Sequence, residues 1–168
     1  MSEPAGGRSA ELADEFEAAQ EAFAGLVESL SDEQWTLVGT NFPERLNDED
    51  EGRTVGVIAH HVAVSGQFIS DRIGATLEGR PVAPVDIRSL NAAHAVEHAG
   101  ARREEVVALL REKGPTIGAF VRALSERDLA TSLVTPAGPM TIEQRIERVL
   151  IGHLKGHGAV IEATLSRA

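Results

Sequence analysis

Apolar residues recur at helical spacing in four separate stretches of this chain. Leu12, Phe16, Ala19, Phe23, Leu26 and Leu30 follow one another at intervals of three and four, which puts them on one stripe of an α-helix. Ser9 is the expected cap of that helix, and the small, polar residues 1–8, with Gly6-Gly7, are expected to fray. Residues 31–53 lose the periodicity. They hold the only Trp, an Asn-Phe-Pro turn and the acidic run Asp48-Glu49-Asp50-Glu51, so a loop is predicted, with one short turn at Asp32–Trp35. Thr54 then caps a second helix, Val55–Leu77, which Gly79-Arg80-Pro81 ends. An extended connection containing Pro84 leads to further helix from about Ser89, interrupted near Gly100 and resuming at Arg102 to present Val106, Leu109, Leu110, Ile117, Phe120, Val121 and Leu124. Gly114-Pro115 falls inside that stretch, and proline's missing donor and steric clash predict a kink or short break there. Residues 131–139 form a Gly/Pro turn region with a brief extended stretch at Leu133-Val134. Thr141-Ile142-Glu143-Gln144 is a capping-box pattern opening a last helix that reaches about Leu165. Four long amphipathic segments with moderately long connections predict an all-α, antiparallel four-helix bundle with strand content near zero.

Composition narrows the chemistry. A chain of 168 residues suits one domain, 1–168, whose core needs no metal or covalent staple, so any ion it takes serves chemistry. With no cysteine, disulfides, thiolate metal sites and cysteine nucleophiles are excluded. A formal net charge of -10 sets the surface against phosphate backbones and anionic lipid, so neither nucleic acid nor membrane is an expected partner. The N-terminal stretch has neither a basic nor an apolar targeting segment, which predicts a soluble, cytoplasmic protein. Aromatics make up only 4%, which favours an Ala- and Leu-rich helical core over a sheet.

The six histidines fall as His60-His61, His94 with His98, and His153 with His157. At about 100° per residue, His61 lies roughly 80° from the centre of the sector set by Val55, Ile58, Val62, Ser65, Ile69 and Ile73, and His60 roughly 180° away. His61 is therefore expected to border the core and His60 to face solvent. In the last helix His153 and His157 fall within roughly 20–30° of the centre of the face formed by Ile142, Ile146, Val149, Leu150, Val160 and Ile161. Either each ring is neutral and hydrogen-bonded to a carbonyl or hydroxyl, or a divalent cation serves both, with a third imidazole from the facing helix. His94 and His98 lie on the flank of their helix and are expected to be solvated or to line a mouth. The acidic loop lacks a calcium-binding ligand pattern, and no Glu-x-x-His, phosphate loop, nucleophile elbow or His-Glu-x-x-His occurs.

Four segments carry a family resemblance: TVGVIAHHVAVSGQFI (54–69), Leu90-Asn91-Ala92-Ala93, Leu124-Ser125-Glu126-Arg127-Asp128-Leu129, and IGHLKGHGAVI (151–161). The sequence resembles the DinB-like superfamily of metal-binding four-helix bundles, which includes thiol-dependent transferases and the N-terminal domains of mycothiol-dependent maleylpyruvate isomerases. The resemblance implies three metal ligands: His61, seven residues after the Thr54-Val55 start, and the His-x-x-x-His pair His153 and His157. It also implies a divalent ion such as zinc, nickel or iron, with a low-molecular-weight thiol conjugated to an electrophile in a detoxifying reaction. Homodimers formed through helix faces are common in such proteins. Ser65, one turn beyond His61, and Arg72 on the same flank are expected to line the substrate pocket, Arg72 meeting an acidic thiol cofactor. Both are equally at home as polar residues at a bundle edge. Arg53 and Val64 stand where the family commonly has Trp and an acidic residue, and the length leaves no room for the isomerases' additional domain. A metal-dependent hydrolase using bound water, and a non-enzymatic stress-response or binding bundle, are the alternatives.

Overall fold

The structure, a computed structural model, describes residues 7–39, 53–135 and 137–168. The Asn-Phe-Pro turn, the acidic run and most of the frayed N-terminal segment expected from the sequence lie outside those residues. Four long helical segments build the bundle: α1 (Arg8–Glu28), α3 (Val55–Leu77), α5 (Arg103–Arg122) and a composite last helix. The last helix comprises α7 (Ile142–Arg145), a π-helical stretch (Ile146–Ile151) and α8 (Gly152–Arg167). Shorter elements are α2 (Asp32–Trp35), α4 (Ile87–Glu97), α6 (Glu126–Leu129) and a hairpin of β1 (Ser132–Thr135) and β2 (Gly138–Thr141). α1 packs along α5 and against α8, and α3 also packs against α5 and α8. Consecutive long helices α1 and α3 thus sit across the bundle from each other.

The apolar stripes explain the core. Leu12, Phe16 and Phe23 of α1, Ile58, Ile69 and Ile73 of α3, Leu110, Ile117 and Val121 of α5, and Ile146, Leu150 and Ile161 of the last helix are all buried in one cluster. The capping pattern at Thr141 is realised: its hydroxyl accepts from the Gln144 amide at 3.1 Å and the Gln144 side chain accepts from the Thr141 amide at 3.1 Å. Ser31 and Gln34 make the same reciprocal box at α2. Thr54 caps α3 by accepting from Val57 N, and Gly79, at φ 69°, leaves that helix through the left-handed region that glycine enters without steric cost.

Four details differ from the sequence reading. α1 begins at Arg8 and Ser9 lies inside it; the residue before it, Gly7, offers no side-chain cap. The start is held instead by the Arg8 guanidinium, which pairs with Glu143 at 2.6 Å and with Glu147. α5 runs unbroken through Gly114-Pro115, where Gln20 of α1 donates from Nε2 to the Leu110 carbonyl at 3.0 Å and so ties the proline-bearing turns to their neighbour. The turn region is a true two-stranded hairpin, Leu133 pairing with Met140, closed where Gly138 adopts φ 108°. Finally, the last helix contains a π-helical segment that periodicity alone did not reveal.

Gly56 shows how closely α2 seats on α3. A Cβ there would lie 2.7 Å from the Trp35 indole, whose Nε1 donates to the Ala101 carbonyl at 2.9 Å. Gly56→Ala is therefore expected to cost about 1–3 kcal/mol through overpacking. Urea denaturation followed by the fluorescence of this single Trp checks it, and an unchanged midpoint would show that the contact yields freely.

Candidate metal centre

α3 and the last helix are apolar where they face each other, and three imidazoles interrupt that apolarity. His61 and His157 are buried, each 7% exposed, and His153 is half-buried. The Nε2 atoms of His61 and His153 lie 3.0 Å apart. The His157 ring centroid is 5.3 Å from that of His61 and 4.3 Å from that of His153. One ligand nitrogen from each ring falls within 4.8 Å of the others. The i, i+4 spacing on α8 stacks two rings one turn apart, and the π-helical stretch just before α8 resets the phase with which they meet α3. π-helical turns of this sort recur at functional sites.

Burial dominates the electrostatics. It pushes the His61 imidazole down to about 2, helped by any charge on His153, His157, His94 and Arg53. It pushes His153 down to about 3, with His157 adding to the effect. Both rings are thus neutral near pH 7 and keep a lone pair for a Lewis acid. A donor set of imidazoles without carboxylate or thiolate suits zinc, nickel or iron(II) better than magnesium or calcium.

The two residues expected to line a substrate pocket separate. Ser65 is buried beside His61; its hydroxyl donates to the His61 carbonyl at 2.6 Å and lies 3.5 Å from His61 Nε2. Arg72 sits about 16 Å further along α3, the rise of eleven helical residues. Its Nη2 donates to the Ala83 carbonyl at 3.0 Å and its guanidinium lies over the Phe68 ring at 5.5 Å. Arg145 stands beside Arg72, its pKa lowered by burial and by that neighbouring cation. An acidic partner for this pair would have to come from a ligand or from outside the described residues. Arg145, which immediately precedes the π-helical stretch, escaped the sequence reading because a π-helical turn leaves no signature in hydropathy. A groove of about 680 Å³ between α1 and α5, lined by Glu17, Gln20, Leu110 and Pro115, contains none of the histidines.

His60 does not face solvent as expected. Its Nδ1 lies 2.8 Å from His94 Nε2, and its ring stacks on that of His98 at 3.9 Å with an interplanar angle of 18°. The three are half-buried. α4, crossing the outer side of α3, covers the face that a helical wheel drawn on α3 alone leaves open to water.

An all-α four-helix bundle with a histidine cluster between two of its helices is the class that fold and site define. The chain belongs to the DinB superfamily, whose family model matches residues 15–161. Among solved structures it is similar to YfiT from Bacillus subtilis, with a TM-score of 0.74, 22% identity, and coverage of 95% of this chain and 87% of that one. YfiT is described as a probable metal-dependent hydrolase with an unusual four-helix bundle topology. No curated protein matches the sequence. Among the described residues, no helix is long and apolar enough to cross a membrane.

Proposed function

We propose that this protein is a divalent-metal-dependent transferase in which His61, His153 and His157 hold the ion and a low-molecular-weight thiol is activated for conjugation to an electrophile. The observation that carries the reading is the convergence of three imidazole nitrogens within 4.8 Å between two apolar helices. One cation between the rings would take a lone pair from each of the three. A zinc, nickel or iron(II) ion with three protein ligands keeps a position open, at which it lowers the pKa of a bound thiol or water.

The chain's own residues supply the rest. Ile58 and Val62, near His61 in sequence on α3, and Leu150 and Leu154, near His153 on the last helix, are buried aliphatic side chains, and such an apolar interior keeps the rings neutral and limits water. Ser65, hydrogen-bonded to the His61 carbonyl, holds the local turn and keeps its oxygen beside His61 Nε2. Arg72 and Arg145 form a cationic end to the α3 face, suited to a carboxylate or phosphate on the thiol. The description of YfiT favours a second reading in which the nucleophile is water and the protein a hydrolase.

Turnover of a model electrophile with and without a small thiol separates the readings. A thiolate formed well below the free thiol's pKa of roughly 8.5 is expected to bring thiol-dependent turnover near its plateau at neutral pH. Turnover without thiol would favour the hydrolase. A rate that follows the free thiol's ionisation and ignores chelator would remove metal activation. The chelated protein is expected to remain helical by circular dichroism, because the core is large, and to gain melting temperature when the ion is restored. A random-coil spectrum in chelator would show that the ion is structural.

A further inference from the structure

α4 buries only Asn91, yet it delivers two imidazoles to a third on α3. We propose that His60, His94 and His98 form a second transition-metal site, separate from His61, His153 and His157, for an imidazole-preferring divalent ion such as zinc, nickel or copper. One ligand nitrogen from each ring lies within 4.8 Å of the others. His60 Nδ1 and His94 Nε2 are already 2.8 Å apart. The other His94 nitrogen, Nδ1, and the Asn91 Nδ2 amide one turn before it are buried without a hydrogen-bond partner among the described residues. Hydrogen bonding within the cluster therefore leaves one His94 nitrogen unmet, and a cation would engage an imidazole lone pair although not the Asn91 amide donor.

Local charge favours a cation. His94 lies in the last turn of α4 and His98 is its C-cap, where unpaired carbonyls give the helix its negative end. The Glu97 carboxylate is 3.8 Å from His98 Nε2, and Glu97 and Glu105 both act on His60. Arg53 opposes them, acting on His94. His98 is stacked on His60 and must turn about its side-chain torsions to aim a nitrogen at a shared ion. Its side chain is 33% exposed, so that rotation needs no repacking of the core. The His61 and His94 rings stand edge-on, 5.6 Å between centroids, so six imidazoles divide into two adjoining sets.

The test is metal content of untagged protein, stripped with chelator and dialysed against zinc or, separately, nickel. Wild type is expected to bind two ions per chain, His98→Ala one, His153→Ala one, and the double variant none, with circular dichroism confirming the fold of each. His94→Gln gives a second, more conservative probe of the same set. Unchanged metal content in both His98→Ala and His94→Gln would overturn the proposal, whatever becomes of His153→Ala. A single ion in wild type that either His98→Ala or His153→Ala removes would also overturn it, because the two sets would then be one site. Failure of the His61 site alone shows differently: metal is lost in His98→Ala and unchanged in His153→Ala.

Discussion

Alanine at His61, His153 or His157 is expected to weaken binding of the tighter divalent ion by at least about 100-fold, the upper end of what loss of a mere supporting contact costs. Each substitution removes one of three donors and leaves an open site with two. His60→Ala should leave this ion in place, since His60 meets His94 and His98 rather than the triad. Calorimetric titration of the untagged variants with zinc or nickel checks the contrast. Tight binding retained in all three triad variants would remove the site. Equal loss in His60→Ala would show that the two histidine sets are not independent.

The second large effect is acid sensitivity of the metal-free protein. An unfolded chain takes up protons at its histidines near pH 6.5, whereas burial holds His61 down to about 2 and His153 down to about 3 in the folded state. Above pH 6.5 both states are neutral at these rings and stability is full. As pH falls below 6.5 the unfolded state binds protons that the native state refuses, so stability drops until the folded pKa values are reached. Each ring kept neutral costs up to about 1.4 kcal/mol per pH unit. Two rings together cost at most about 3 kcal/mol per unit, an upper limit because His153 is half-buried. The loss by pH 4 is then at most about 7 kcal/mol, enough to unfold a protein near the lower end of the typical range of about 5–15 kcal/mol and to weaken any other markedly. Bound ion should move that transition to lower pH, because protons and metal compete for the same lone pairs. Circular dichroism against pH, with chelator and with zinc, measures both. A urea midpoint in chelator that stays the same between pH 7 and 5 would mean that the rings accept protons within the fold.

The bundle was legible because burial on one face of each helix writes itself into the spacing of Leu, Ile, Val and Phe. Thr54, Thr141 and Ser31 marked helix starts because their hydroxyls satisfy otherwise unpaired amides. The convergence of His61 with His153 and His157 was readable from phase plus family resemblance. His60 was misplaced because a wheel knows the helix it is drawn on and not the neighbour that covers it; α4, whose own apolar pattern is weak, supplied that cover. Arg145 and the π-helical turn were hidden for a related reason. A single extra residue in a turn is set by packing between helices, and Ile146–Ile151 reads as ordinary helix in sequence. At Pro115 the expected break does not occur, since α5 continues through it and Gln20 of α1 bonds the Leu110 carbonyl beside it.

X-ray absorption at the zinc or nickel edge, on untagged protein loaded with one equivalent and then mixed with a small thiol, addresses the central claim most directly. Nitrogen scatterers at about 2.0–2.1 Å with the multiple-scattering signature of imidazole are expected before the thiol is added, joined by one sulfur at about 2.3 Å afterwards. The imidazole signal should persist in His98→Ala and vanish in the His98→Ala/His153→Ala double variant at the same loading. Oxygen-only coordination, or a spectrum that thiol leaves unchanged, would contradict the account.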